Sequence, residues 1–204
     1  MKNPASDAAI LILAAGQSSR MRGADKLLER VDGQMLIRRQ VQMALATGLP
    51  VWVTLPPDQP LRASALHGLD CSLVEVSDAG LGISRSIRAG NTAVHPSCWL
   101  ILLLADLPDV TTTDLQLLIV AAQHAPNAIV RATSDAGKPG HPILFPPHLR
   151  GELTALCGDE GARDVLKLHA DETIFVPLQG NRALTDLDTP EDWARWRLQN
   201  RTKS

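Results

Sequence analysis

The sequence predicts a three-layer α/β/α domain built on a mostly parallel sheet, and three observations carry that expectation. Residues 8–15 and 99–105 are apolar runs with the continuous hydrophobicity of strands buried on both faces. Stretches of helical periodicity alternate with these and with shorter apolar runs, the pattern of βαβ units joined by right-handed crossovers. Glycines, cations and acids follow the ends of the apolar runs, which is where open α/β sheets receive their ligands.

Taken in order, residues 8–15 open the sheet and stop at Gly16. Ile37, Val41, Ala44 and Leu45 then fall on one face of a helix. Residues 51–55 form a short strand broken by Pro56-Pro57, and residues 73–76 another. Ile83, Ile87, Gly90 and Val94 recur at helical spacing. Residues 99–105, the most apolar run, read as a central strand. Leu115, Leu118, Ile119 and Ala122 mark a helix started by the threonines at 111–113. Residues 128–132 are a further strand, and residues 137–145 a loop entering one. Ala162, Val165, Leu166 and His169 fit a helix opened by Asp159, and residues 173–176 close the sheet. The last helix starts at Thr189-Pro190-Glu191-Asp192, with a capping residue, a proline at the first helical position and acids in the first turn. Trp193 and Trp196 are expected to dock it.

Composition narrows the function. The chain has 204 residues, 45% hydrophobic and 21% charged, ordinary for one domain with a sizeable core, so residues 1–204 are read as a single domain. A net charge of −2 and 3% aromatics with no Tyr argue against a nucleic-acid or membrane-surface partner. No run reaches membrane-span length, and the start of the chain lacks a secretory layout, so the expected address is cytoplasmic. Cys71, Cys98 and Cys157 have no metal-like spacing and read as buried or inert thiols.

The chemistry concentrates at a few places. After Gly16 come Gln17, Ser18, Ser19, Arg20, Arg22, Gly23 and Lys26, a small, hydroxyl-bearing, cationic loop suited to a phosphate chain. It is neither Gly-x-x-x-x-Gly-Lys-Ser/Thr nor Gly-x-Gly-x-x-Gly, and no suitable acid follows about twenty residues on, which counts against a dinucleotide oxidoreductase. Asp106 ends the apolar run 99–105, where an unpaired carboxylate is costly and a divalent cation would account for it. Asp186 and Asp188 alternate, so they project to one side, and Thr189 is the better cap. Gly82, Ser84, Ser86, Arg85 and Arg88 begin a helix suited to an anion, while Lys138 and His141 flank a loop. Arg163 pairs with Asp159 or reaches a phosphate.

Six motifs appear in one order: Leu-Ala-Ala-Gly-x-Ser-x-Arg (13–20) with Lys26, Gly-x-Ser-x-Ser-x-x-x-Gly (82–90), Asp-x-Pro (106–108), Gly-His-Pro (140–142), Gly-Asp-x-Gly-Ala-Arg (158–163) and Asp-x-Asp-Thr-Pro-Glu-Asp (186–192). Together they resemble the molybdopterin nucleotidyltransferase family, most closely its molybdenum cofactor cytidylyltransferase branch. The resemblance implies a Rossmann-like nucleotidyltransferase fold and CMP transfer from CTP to the terminal phosphate of molybdopterin, the alternatives being the same fold using GTP or another phosphorylated acceptor, or a non-catalytic cofactor carrier. It implies nucleotide contacts from Leu13, Ala14, Ala15, Gly16, Ser18, Gly82 and Ser84, and triphosphate contacts and catalysis from Arg20 and Lys26. Asp106 and Asp188 would hold Mg²⁺, with Mn²⁺ an alternative. Ser86, Gly140, His141, Pro142 and Arg163 fall to the acceptor side, and the product's recipient would be an apo-molybdoenzyme or its chaperone. Ala15, where the guanylyl branch tends to have glycine, points to cytosine. The chain departs from the family in Arg22, which adds a residue before Gly23, and in Lys138-Pro139, where Arg-Gly is usual.

Overall fold

A computed structural model describes residues 3–159 and 161–201, Arg201 in its backbone only. Glu160 of the 158–163 motif therefore lies outside the described residues. The strands are β1 (Ala8–Leu13), β2 (Arg30–Val31), β3 (Gln34–Met35), β4 (Val51–Leu55), β5 (Ser72–Glu75), β6 (Trp99–Leu104), β7 (Ile129–Thr133), β8 (Pro139–Phe145) and β9 (Thr173–Pro177). The α-helices are α1 (Pro4–Asp7), α2 (Leu36–Leu45), α3 (Pro60–Ala65), α4 (Ile83–Ala93), α5 (Thr112–His124), α6 (Arg150–Leu153), α7 (Arg163–Leu168) and α8 (Pro190–Arg201).

Seven strands form one sheet in the order β5-β4-β1-β6-β8-β7-β9, and β2-β3 make a small separate ribbon. All neighbours in the large sheet are parallel except β8, which runs antiparallel to both β6 and β7. The three-layer, mostly parallel architecture is as the sequence predicts.

Alternation of side chains along the central strands builds two cores. Ala8, Ile10 and Ile12 of β1, with Trp99, Ile101 and Leu103 of β6, face α2, α3, α5 and α8. Ala9, Leu11 and Leu13, with Leu100 and Leu102, face α4, α6 and α7. Both strands are therefore apolar at every position, each buried leucine or isoleucine contributing about 1.5–3 kcal/mol. Gly90 lets α4 close on the sheet: a Cβ there would lie 2.3 Å from Leu11 Cδ1.

Register positions the site. Leu13 pairs with Leu104, so β1 and β6 end side by side. The chain turns back between them, β4 and β5 lying to one side of β1, which makes this the switch point where a ligand crevice forms. Because β8 is antiparallel, with Ile143 opposite Leu102, its first residues return to that same edge.

Several expectations shift. The first strand ends at Leu13, since Ala14 donates to Thr54 across the edge and the chain then opens into the loop. Thr111 caps α5 in a reciprocal box with Asp114. Thr189 does the same with Asp192 at α8, so the Asp188 side chain is not needed for the cap. Asp159 does not open α7, which starts after Ala162 with no side-chain cap. Cys157 is exposed, not buried; Cys71 and Cys98 are partly buried, and all three are free thiols. No helix among the described residues is long and apolar enough to cross a membrane.

Candidate active site

The loop after β1 forms one wall of a cavity of about 580 Å³ lined by Ala15, Gly16, Arg20, Lys26, Asp106 and Asp188, among others. At Gly16 an added Cβ would meet nothing within 4 Å, so the backbone lies open to the cavity. Among the described residues no acceptor takes the amides of Ala15, Gly16 or Gln17, which leaves them for a ligand. The extra residue is absorbed locally. Ser19–Met21 form a single 3₁₀ turn, Arg22 adopts φ 53° and Gly23 φ 95°, and the Arg22 side chain turns out to solvent against Glu191 at 2.5 Å. Lys26 still reaches the site.

Its ammonium bridges two carboxylates, Asp106 Oδ2 at 2.5 Å and Asp188 Oδ1 at 2.6 Å, while Arg20 takes Asp188 Oδ2 at 2.7 Å. Burial alone would lower the Lys26 pKa; Asp106 and Asp188 outweigh it, and the group stays cationic well into the alkaline range. Asp186 lines the same cavity, and its pKa is raised by burial and by its two acidic neighbours. The backbone amide of Leu187 donates to the Asp106 carbonyl at 3.2 Å and locks the two acidic segments together. Asp106 Oδ1 is buried without a hydrogen-bond partner. Three carboxylates facing one lysine and one arginine, with an orphaned oxygen among them, fit a divalent cation that takes few protein ligands and completes its shell with phosphate and water. No cluster of three or more His, Cys, Asp or Glu among the described residues is arranged to hold a metal by itself.

A second cavity of about 440 Å³ adjoins the first, sharing Leu13, Ile83 and Asp159. Its floor is apolar, and Arg131, His141, Asp159, Arg163, Lys167 and Thr173 supply the polar groups. Burial, then the Arg131 charge, lower the His141 pKa to about 4, with Asp106 and a hydrogen bond to the Leu102 backbone pulling the other way; the ring is neutral at pH 7, and its Nδ1 has no partner. Arg131, which sequence reasoning missed, donates to the Gly140 carbonyl at 3.1 Å.

The predicted residues divide accordingly. Leu13, Ala14, Ala15, Gly16, Arg20, Lys26, Gly82, Asp106 and Asp188 meet at the first cavity, and Ser86 lines it with them. Ser84 is fully buried and outside either cavity, because helical spacing turns it to the side of α4 away from Ser86. Ser18 faces away, its hydroxyl held by Asp25 at 3.2 Å and Arg62 at 3.2 Å. Of Gly140-His141-Pro142 only His141 reaches the second cavity. Gly140 is there for packing, since a Cβ would lie 2.0 Å from the Ala183 carbonyl oxygen. Arg163 lines the second cavity, and Lys138 is exposed outside both.

Residues 10–173 match the model of the MobA-like NTP transferase domain. The chain belongs to this family. A relative from Pseudomonas paraeruginosa, molybdenum cofactor guanylyltransferase, is 32% identical over 89% of this chain and 90% of its own. Nicotine blue oxidoreductase of Paenarthrobacter nicotinovorans is 26% identical over 91% and 94%. Among solved structures, the Rv0371c homolog from Mycobacterium sp. strain JC1 superposes with a TM-score of 0.85 at 25% identity, covering 100% of both chains. Rv0371c of Mycobacterium tuberculosis, solved in complex with manganese, superposes with a TM-score of 0.77 at 24% identity over 93% and 97%. The fold of these two solved structures and the mostly parallel sheet described above are the same.

Proposed function

We propose that this nucleotidyltransferase moves CMP from CTP to the terminal phosphate of a molybdopterin-type cofactor and releases pyrophosphate. The ion cluster of Lys26, Arg20, Asp106 and Asp188 at the shared ends of β1 and β6 carries the reading. It places cations and carboxylates around one point beside free loop amides, which is what a triphosphate and its divalent cation require. Two cavities meeting at Leu13, Ile83 and Asp159 supply room for a donor and an acceptor side by side. The relative from Pseudomonas paraeruginosa supports the acceptor class.

In the reaction a phosphate oxygen of the acceptor attacks the α-phosphorus of CTP in line, and the bond from that phosphorus to the bridging oxygen of pyrophosphate breaks. The attacking group is already anionic, so no side chain need remove a proton. Lys26 and Arg20 bind the triphosphate and offset the negative charge that builds on the departing pyrophosphate. Asp106 and Asp188, with Asp186 beside them, would hold Mg²⁺. That ion supplies charge neutralisation at the phosphates. Leu13 and the Gly16 backbone orient the nucleotide.

The choice of base rests on Ala15, buried in the cavity wall. Its methyl narrows the space beside the loop backbone and favours a pyrimidine, whereas the name of the 32% identical relative favours GTP. CTP and GTP competed in one reaction with molybdopterin and Mg²⁺, with the ratio of cytosine to guanine dinucleotide product read, decide between them. We expect CTP to be preferred, and Ala15→Gly to relax that preference by about 10–200-fold at most, the range of a methylene-sized steric difference. Preferential use of GTP by the native protein refutes the cytidylyl assignment. Absence of pyrophosphate release with either nucleotide refutes molybdopterin as the acceptor.

A further inference from the structure

Arg62 sits on α3, a six-residue helix whose sequence carries no motif, yet its side chain is completely buried. A buried guanidinium persists only where its donors are matched. All five are. Nε donates to Asp25 Oδ2 at 2.6 Å, one terminal nitrogen to the carbonyls of Ala14 (2.6 Å) and Gly16 (2.8 Å), the other to Ser18 Oγ (3.2 Å) and Asp25 Oδ1 (2.9 Å). Every one of those acceptors belongs to the loop between β1 and Lys26. Asp25 in turn accepts from the Leu27 amide at 3.0 Å, so the residues on both sides of Lys26 are fixed to the same hub.

Arg150 shows what a purely structural counterpart looks like. It is as buried as Arg62, but its donors go to the Asn91 side chain and to the carbonyls of Asn91, Val94, His95 and Cys98 at the end of α4, none of which lines either main cavity. Arg62 instead consumes the Ala14 and Gly16 carbonyls, while the amides of Ala15, Gly16 and Gln17 have no acceptor among the described residues. A loop whose carbonyls are held from behind and whose amides stay free is shaped for an anion before the anion arrives.

We propose that Arg62, acting through Asp25, is a positioning residue that pre-shapes residues 14–26 for the nucleoside triphosphate and sets the reach of Lys26. It touches neither substrate and lies outside the cavity. The inference rests on the nucleotide reading above for its ligand, and on the hydrogen bonds alone for its effect on the loop.

The test compares Arg62→Lys with Arg150→Lys in the full chain, since Arg62→Ala would leave Asp25 and two carbonyls unpaired and threaten folding. Lysine keeps the charge near Asp25 but lacks the planar fork needed to span four residues. CTP affinity in the presence of Mg²⁺ is measured by titration calorimetry, and amide hydrogen exchange is mapped by peptide. Arg62→Lys should weaken CTP binding about 10- to 100-fold, the scale of a small misplacement of binding groups, and speed exchange within residues 14–26 only. Arg150→Lys should lower the unfolding midpoint while binding CTP as the native protein does. Native CTP affinity in Arg62→Lys, or exchange that rises uniformly over the chain, overturns the proposal. If the native protein binds neither CTP nor GTP, the nucleotide reading falls, and the exchange map alone decides whether Arg62 shapes the loop.

Discussion

At the residue scale the site is a balance of charges. Lys26 is shared by Asp106 and Asp188, and Asp106 keeps one buried oxygen for which the protein provides nothing. Asp106→Asn preserves shape and removes that charge, while Asp188 still pairs with Lys26. We expect turnover to fall by about 10²–10³-fold, as when one charge-stabilising group is lost, with an unchanged circular dichroism spectrum. Native rates across a Mg²⁺ titration would remove Asp106 from the proposed metal site. His141 offers a test of a different kind. Its pKa lies near 4 in the folded chain against 6.5 as an ordinary imidazole. The unfolded chain therefore takes up a proton that the folded one resists. Stability from this group is fully present above pH 6.5 and is lost as the pH falls from 6.5 towards 4. Between pH 7 and 5 this amounts to roughly 2 kcal/mol. Urea unfolding at the two pH values should show His141→Asn losing less stability on acidification by about that amount; equal losses in both proteins would contradict the buried, neutral imidazole.

At the scale of elements, the end of the chain secures the acids. α8 begins two residues after Asp188, and Trp193 on its first turns is buried, packed edge-on to Trp196 at 6.1 Å and covered by the Arg197 guanidinium at 4.9 Å. Trp196 Nε1 donates to Asp109 at 2.9 Å, and Arg197 pairs with Glu29 at 2.6 Å, so the helix bridges both loops that build the site. Trp193→Ala should cost about 3–5 kcal/mol in urea unfolding, the range for an aromatic core truncation. A loss below 1 kcal/mol would mean that α8 is not docked through this ring. The sequence made α8 legible because its cap, proline and tryptophans are local signals. It made β1 and β6 legible because burial on both faces leaves no polar position. The antiparallel direction of β8 has no local signature: it is set by the short connection from β7, which returns the chain beside its neighbour. Arg62 and Arg131 were equally invisible, because a lone arginine reveals its partners only once distant segments meet. Ser84 and Ser86 were told apart only by which side of α4 met the sheet.

At the scale of the whole molecule, the two cavities determine how donor and acceptor can meet. They adjoin at Leu13, Ile83 and Asp159, and the proposed transfer puts the donor in one and the acceptor in the other, with their reacting ends at that boundary. A covalent nucleotidyl-enzyme would need a side-chain nucleophile, and Lys26 is the amine at the right place. A nucleophilic lysine needs a lowered pKa, however, and two carboxylates raise this one and keep it charged. Transfer is therefore expected to be direct, in a complex holding both substrates. Initial rates measured over a grid of CTP and acceptor concentrations should give intersecting lines in double-reciprocal form, and labelled pyrophosphate should not exchange into CTP without acceptor. Parallel lines, together with exchange in the absence of acceptor and its loss in Lys26→Arg, would establish the covalent route and overturn the role assigned here to the lysine.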